Sequence, residues 1–224
     1  MKKQIYIVDD HPLVVDALQN LISKSDDLEC IGSADTIEKA FSDIESLQPG
    51  LVLIDIQLKQ NQNGLQLLKK LRTTFPDIAV IIISMLTDDT FVDRAFKLGA
   101  MGYVFKEDTT TQIVEAIHTV LRGDYFVSSS QATRLLGHLY RASQKEEKDP
   151  IDKLSNRELE VFLMIGEGMP VKEIAASMGL AASTIETLRS RIKTKLSITE
   201  NEKLIRVAVE WKYTQTKSDT VVSQ

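Results

Sequence analysis

The sequence predicts two domains of different class: an α/β doubly wound five-stranded parallel sheet, followed by an all-α domain. Three observations lead there. Short apolar runs alternate with helical patterns up to residue 122. A charged run ending in proline, Gln144–Pro150, interrupts the pattern. Residues 152–213 then show helical periodicity and no alternating strand pattern. The chain has 224 residues, 43% hydrophobic and 26% charged. That is globular composition and room for one large or two small domains at roughly 100–150 residues each.

The strands of the first domain are read at Ile5–Val8, Leu28–Gly32, Leu51–Ile54, Ala79–Ile83 and Gly102–Phe105. Helical spacing marks Leu13–Lys24, Ile37–Leu47, Gly64–Phe75, Asp88–Leu98 and Thr111–Arg122, where apolar residues recur three and four apart, as in Leu67, Leu68 and Leu71. Strict alternation argues for parallel strands with helices on both faces, and nearly all-apolar strands suit a sheet covered twice. In such sheets functional groups gather past the carboxyl ends of the strands. Strand one ends in Asp9-Asp10, strand three in Asp55, strand four in Ser84 and strand five in Lys106. Three carboxylates, a hydroxyl and an ammonium should therefore meet at one edge.

Clustered carboxylates repel one another unless a cation lies among them, and oxygen-only ligands suit a hard ion such as Mg2+. Lys106 and Ser84 are suited to phosphoryl oxygens, and Asp55 could act as a nucleophile forming an acyl phosphate. Any one of these residues alone reads more simply: a strand-terminal Asp as a helix cap (Asp10 for the first helix), Lys106 as a surface lysine. The joint pattern on four strand ends reverses those odds. Val8-Asp9-Asp10-His11-Pro12, Leu53-Ile54-Asp55-Ile56, Ile82-Ile83-Ser84 and Gly99–Lys106 resemble the receiver domain of two-component response regulators, over about residues 3–122.

The resemblance implies a flavodoxin-like receiver fold and phosphorylation of Asp55 by a cognate histidine kinase. It implies Mg2+ held by Asp10, Asp55 and the backbone carbonyl of Gln57, with Asp9 acting through water. Ser84 and Lys106 would take the phosphoryl group, and Tyr103 would turn inward as the switch aromatic. One stretch departs from the family. Gln57–Gly64 is slightly long and lacks the usual Met-Pro, and it places Lys59 near the acidic pocket. His11 matches a common family residue and is not expected to bind metal. His118 and His138 read as structural, and Cys30 as a buried, inert thiol.

In the second domain Ser155 is read as an N-cap with Glu158 three residues on, a capping box. Leu159, Phe162, Leu163 and Ile165 form that helix's stripe, and Gly166 and Gly168 mark its end. Val171–Met178 is a short second helix closed by Gly179. Ser183 or a neighbour caps a third helix running to Leu196, and a fourth spans about Glu200–Tyr213. Two helices joined by a short Gly-bearing turn match a helix-turn-helix. On the third helix Ile185, Leu188, Ile192 and Leu196 share one side. Ser183, Thr187, Ser190 and Thr194 share the opposite side, with Arg191 and Lys195 on one flank and Arg189 and Lys193 on the other. Short side chains flanked by cations suit a helix in the major groove of double-stranded DNA.

Leu154–Val161, Gly166-Glu167-Gly168, Lys172–Ala175, Ser183-Thr184-Ile185 and Lys195-Leu196 resemble the LuxR-type DNA-binding domain, over about 153–212. The whole chain resembles the NarL/FixJ class of response regulators. Thr187 and Ser190 are carried over as DNA-facing; Lys172, Thr184 and the flanking Arg191, Lys195, Arg189 and Lys193 complete the expected DNA-binding set. Glu186 stands where the family often has a lysine facing DNA. The last helix has Leu204, Val207, Ala208 and Trp211 on one stripe; the family analogy puts dimer contact there, and packing on the helix's own domain is at least as good a reading for Leu204 and Val207. The expected organisation is a receiver at 1–124, a partly helical linker at 125–151, a helix-turn-helix domain at 152–213 and a disordered tail at 214–224.

The net charge of −5, taken whole, argues against a nucleic-acid partner. Divided by segment, residues 1–124 carry −7, 125–150 carry +1 and 151–224 carry +1, while Thr184–Leu196 alone carries +3. The acidity belongs to the receiver, and the total conceals a basic reading helix. With no apolar run near the roughly 20 residues that span a bilayer, no secretory pattern and one cysteine, the expectation is a cytoplasmic, phosphorylation-switched transcription factor, a homodimer when active. It is not expected to be an enzyme beyond releasing its own phosphoryl group. An aspartyl-phosphate hydrolase would need an acid two residues after its nucleophile, and that position is Gln57.

Overall fold

A computed structural model describes residues 2–58, 62–86, 88–107, 110–128, 132 and 150–220. The chain divides into two compact units, Met1–His138 and Leu139–Gln224. Lys59, His138, the helical pattern at Leu135–Tyr140, the charged run 144–149 and residues 221–224 lie outside the described residues.

The first unit runs β1 (Lys3–Val8), α1 (Pro12–Ser23), β2 (Leu28–Ala34), α2 (Ile37–Leu47), β3 (Leu51–Asp55), α3 (Gly64–Thr74), β4 (Ala79–Ser84), α4 (Asp89–Lys97), β5 (Gly102–Phe105) and α5 (Thr110–Leu121). The sheet order is β2-β1-β3-β4-β5, and every pairing is parallel. β1 is paired on one side to the strand that follows it and on the other to β3. The switch point therefore lies between β1 and β3, where a doubly wound sheet opens a crevice at its carboxyl edge. All residues of β3 and β4 are buried, as expected of central strands with helices on both faces. One core packs Ile5, Ile7, Leu51, Leu53, Ile81 and Ile83 of the sheet with Leu18 and Ile22 of α1 and Ile113, Ala116, Ile117 and Val120 of α5.

The strands end within two residues of the sequence reading, because the apolar runs of β1, β3, β4 and β5 each stop at a polar residue at the carboxyl edge. Asp10 does not cap α1. The N-cap is His11, and it is Asp9 Oδ1 that accepts from the His11 amide, at 2.9 Å. Asp9 fits because its side chain folds back two residues, an Asx turn.

The second unit contains α6 (Asn156–Gly166), α7 (Val171–Ser177), α8 (Ala182–Lys195) and α9 (Asn201–Thr220), after a 3₁₀ turn at Pro150–Lys153. The Ser155–Glu158 capping box is present with both hydrogen bonds. Such a cap stabilises a helix by roughly 1 kcal/mol. Ala181, not Ser183, is the N-cap of α8, and it has no side-chain bond to give. α6 packs on α8 and on α9, burying Leu159, Phe162, Ile185, Ile192, Leu204 and Ala208. α9 continues to Thr220, past the Tyr213 end read from the sequence and into the segment expected to be disordered. Neither Gly nor Pro occurs in Asn201–Thr220 to stop it.

Candidate functional site: an acidic receiver pocket and a reading helix

The carboxyl edge of the sheet gathers the groups the sequence placed there. Asp9 and Asp10 follow β1, Asp55 ends β3, Ser84 ends β4 and Lys106 follows β5. Asp9, Asp10, Asp55 and Ser84 are all buried. Lys106 Nζ lies 2.7 Å from Asp9 Oδ2 and 2.6 Å from Asp55 Oδ2, so one ammonium spans two carboxylates. The Asp55 carboxyl is pushed up to about 6: burial and the Asp9 charge raise it, and Lys106 and the Gln57 amide offset part of that rise. Burial alone would lower the Lys106 ammonium, but Asp55 and Asp9 outweigh it and hold it above its ordinary value. His11 Nδ1 lies 2.8 Å from Asp10 Oδ1 and 3.1 Å from Asp9 Oδ1 at the mouth of the pocket.

Ligand atoms of Asp9, Asp10, His11 and Asp55 all fall within 4.8 Å of one another. Three buried carboxylates against one ammonium leave a negative excess that suits a hard cation, with His11 at the exposed rim. The Gln57 amide donates to Asp55 Oδ1 at 3.2 Å, which ties the chain after β3 back to the Asp55 side chain.

Ser84 and Tyr103 share one partner. Leu86 donates its amide to Ser84 Oγ at 3.1 Å and accepts from the Tyr103 hydroxyl at 2.7 Å through its carbonyl. Tyr103 is fully buried, its ring edge-on to Phe105 at 5.6 Å. The inward turn expected on phosphorylation is thus the conformation the structure already holds, because the hydroxyl finds a carbonyl acceptor in the β4–α4 connection.

Sequence reasoning missed three residues of the connection after Asp55. Asn63 caps α3, its Oδ1 accepting from the Leu65 amide at 2.9 Å. Gln62 Oε1 accepts from the Ile37 amide at 2.8 Å, and its Nε2 donates to Glu38 Oε2 at 2.7 Å. Gln62 thereby closes the N-terminus of α2, whose own N-cap, Thr36, makes no side-chain bond. Gly64 sits so close to β3 that a Cβ there would lie 1.9 Å from the Asp55 carbonyl oxygen. The Asn-Gly pair before an apolar period was the available signal for the first and third.

The α8 surface is partly as predicted. Ser183, Thr187, Ser190, Arg191 and Thr194 are exposed, Thr184 is half-buried, and Lys172 is exposed on α7. The hydroxyls of Thr187 and Thr194 donate to the Ser183 and Ser190 carbonyls within the helix, at 2.9 and 3.1 Å. The cations are less available than helical spacing suggested. Lys195 pairs with the buried Glu158 of the capping box. Lys193 Nζ donates to Asn201 Oδ1 at 2.9 Å, and Arg189 pairs with Glu186 at 3.1 Å. Position on one helix does not show what a neighbouring helix places beneath it. Among the described residues, Arg191 is the cation of α8 without an intramolecular partner. Burial pushes the Glu158 carboxyl up, but Lys195 and Ser155 outweigh it and leave it below the usual carboxylate range.

The dimer assignment also changes. Leu204 is fully buried inside its own unit, and the Trp211 ring meets Phe162 edge-on at 6.0 Å. Val207 is half-buried, while Ile205 and Val209 of the same helix are exposed. Leu204 and Trp211 of the stripe thus pack within their own unit, Trp211 against Phe162 of α6.

Comparison with known proteins agrees with this geometry. Residues 5–118 match the family model for the response regulator receiver domain. The chain belongs to the response regulators. Residues 152–208 match the bacterial regulatory proteins of the LuxR family. The response regulator GacA of Pseudomonas aeruginosa is 32% identical over 206 residues, covering 92% of this chain and 95% of that one. The oxygen regulatory protein NreC of Staphylococcus epidermidis is 28% identical over 213 residues, covering 93% and 98%. A LuxR-family two-component response regulator from Aurantimonas matches with a TM-score of 0.59 at 25% identity, over 62% of this chain and 99% of that one. RcsB from Salmonella enterica serovar Typhimurium, bound to a promoter with the phosphomimetic BeF3−, shares the fold at 21% identity and a TM-score of 0.58, covering 92% and 97%. This response regulator is a DNA-binding transcription regulator of the NarL/FixJ class, its control by phosphorylation carried by the receiver. No helix among its described residues is long and apolar enough to cross a membrane.

Proposed function

We propose that Asp55 accepts a phosphoryl group from the phosphohistidine of a cognate histidine kinase in the cytoplasm, and that this controls dimerisation and DNA binding. The observation that carries it is the Lys106 ammonium held between Asp9 and Asp55. A carboxylate oxygen of Asp55 attacks phosphorus as the phosphorus–nitrogen bond breaks, and the leaving imidazole keeps the electron pair and takes a proton. Lys106 would shift from the carboxylates to a phosphoryl oxygen, and Ser84 would donate its hydroxyl to another. Asp10, Asp55 and the Gln57 carbonyl would hold Mg2+, with Asp9 acting through water. When bound, the ion neutralises charge that builds up during transfer. Acyl phosphates hydrolyse, so the protein also releases its own phosphoryl group; Gln57 supplies no acid-base group for turnover of an outside substrate.

The new group brings roughly −1.5 to −2 charges to the pocket. The pull on Lys106 and Ser84 passes to the Leu86 backbone, which also holds Tyr103. In a dimer, two α8 helices would enter successive major grooves about 34–36 Å apart. Lys172, Thr184, Thr187, Ser190 and Arg191 would face DNA, with Arg191 the main phosphate contact.

The test is DNA binding as a function of salt. Arg191→Ala should weaken binding about tenfold on every sequence and reduce the salt slope by about one. Lys195→Ala should instead lower the thermal midpoint, because it removes the ion-pair partner of Glu158 and leaves it only the Ser155 hydrogen bonds, and should leave the salt slope nearly unchanged. Binding that does not depend on salt, or a loss equal in the two variants without any change in stability, would contradict the assignment.

A further inference from the structure

We infer that Glu186 is a base-reading residue of α8, selecting cytosine in the major groove, and that Arg189 is the positioning residue that lets a carboxylate work there. The inference rests on α8 being the reading helix and names what one position of it reads. Glu186 is the fifth residue of α8, in its N-terminal part, where recognition helices of this motif reach base edges. At 100° per residue it lies beside Ser183 and Ser190, at the edge of the short-side-chain face. Its side chain is 55% exposed, whereas that of Arg189 is 12% exposed. The guanidinium therefore lies behind the carboxylate, toward the protein.

A lone carboxylate between two rows of phosphates would be repelled by them. The Arg189 guanidinium, with Nη1 3.1 Å from Glu186 Oε1, offsets part of that repulsion. Oε2 has no partner among the described residues. The exposed end of this pair is then a hydrogen-bond acceptor whose charge is partly offset. Arg189 itself is not placed to serve phosphate, being largely covered.

Major-groove chemistry fixes what such an acceptor prefers. Guanine presents N7 and O6, and thymine presents O4; all are acceptors and repel a carboxylate. Adenine offers the N6 donor, but beside the N7 acceptor. Cytosine offers N4 with only a C–H as neighbour. The order expected is cytosine, then adenine, with thymine and guanine rejected. A lysine at the same place would reverse it, favouring guanine.

The experiment is selection of bound duplexes from a randomised pool by the full-length chain, followed by affinity measurements on the selected site with one position varied. The wild type should enrich cytosine at one position per half-site, with about tenfold weaker binding to thymine there. Glu186→Gln should move the preference at that position to adenine, since glutamine pairs with N6 and N7 together. Glu186→Ala should flatten the preference. Arg189→Met should lower affinity while reducing discrimination, and Arg189→Lys should restore part of both. An unchanged base preference in Glu186→Gln and Glu186→Ala would overturn the inference. So would affinity rising equally for all four bases, the mark of a carboxylate that only repels phosphate. In those two outcomes DNA binding, and with it the proposed function, would still stand. A wild type that binds no duplex at all would overturn both.

Discussion

The Asp55→Asn protein should take up no phosphoryl group from a small acyl-phosphate donor in the presence of Mg2+, whereas the wild type is labelled stoichiometrically. Asparagine keeps the shape of the side chain but has no carboxylate oxygen to form the acyl phosphate. The fold should survive, because Lys106 retains Asp9 at 2.7 Å and one buried charge is lost from an acidic cluster. An unchanged thermal midpoint would show that. Asp9 and Asp10 are also buried at this edge, so label persisting in Asp55→Asn would move the acceptor to a neighbour. The measurement is radiolabel incorporation, or a mass shift on the intact chain.

Gly64→Ala should be the most damaging small substitution in the receiver. The added Cβ would lie 1.9 Å from the Asp55 carbonyl oxygen and 2.7 Å from Cγ2 of Ile54. Neither neighbour is a flexible side-chain end: one is strand backbone and the other a branched side chain at 0% exposure. The start of α3 must lift off β3, breaking the bond from the Gly64 amide to the Ile56 carbonyl at 2.8 Å. The loss expected is about 3 kcal/mol or more, read by urea unfolding. The surviving folded fraction should also phosphorylate slowly, since the lift displaces the nucleophile's own backbone. A midpoint within experimental error of wild type would mean that α3 does not sit against Asp55 as described.

Much of this architecture is legible in the sequence, and the reason is local. Val8, Ile54, Ile83 and Phe105 are apolar because they lie between helices, and the chain turns polar at the residue that leaves the sheet. Asp9, Asp55, Ser84 and Lys106 are thus marked by position as well as by type. The Ser155–Glu158 box is legible for the same reason, since both partners lie within one turn. What was not legible depends on elements distant in sequence. Glu158 and Lys195 are 37 residues apart, and helical spacing gave Lys195 to DNA until α6 and α8 were seen packed. Leu204 and Trp211 form a stripe equally suited to a partner or to the rest of the domain, and only the Phe162 contact decides. Gln62 reaches 25 residues back to Ile37, where no motif announces it. α9 runs past the Tyr213 end that the sequence suggests: Thr214–Thr220 is polar but has no Gly or Pro to break a helix.

The switch itself is tested most directly by DNA affinity measured with and without phosphorylation. The selected duplex is titrated with the full-length wild type and with Asp55→Asn, each with Mg2+ and each with and without the acyl-phosphate donor, at one fixed salt concentration. The account predicts that the donor tightens binding of the wild type at least several-fold and steepens its dependence on protein concentration, as dimers form, while Asp55→Asn does not respond. Equal affinity for phosphorylated and unphosphorylated wild type, or the same gain in Asp55→Asn, would contradict it.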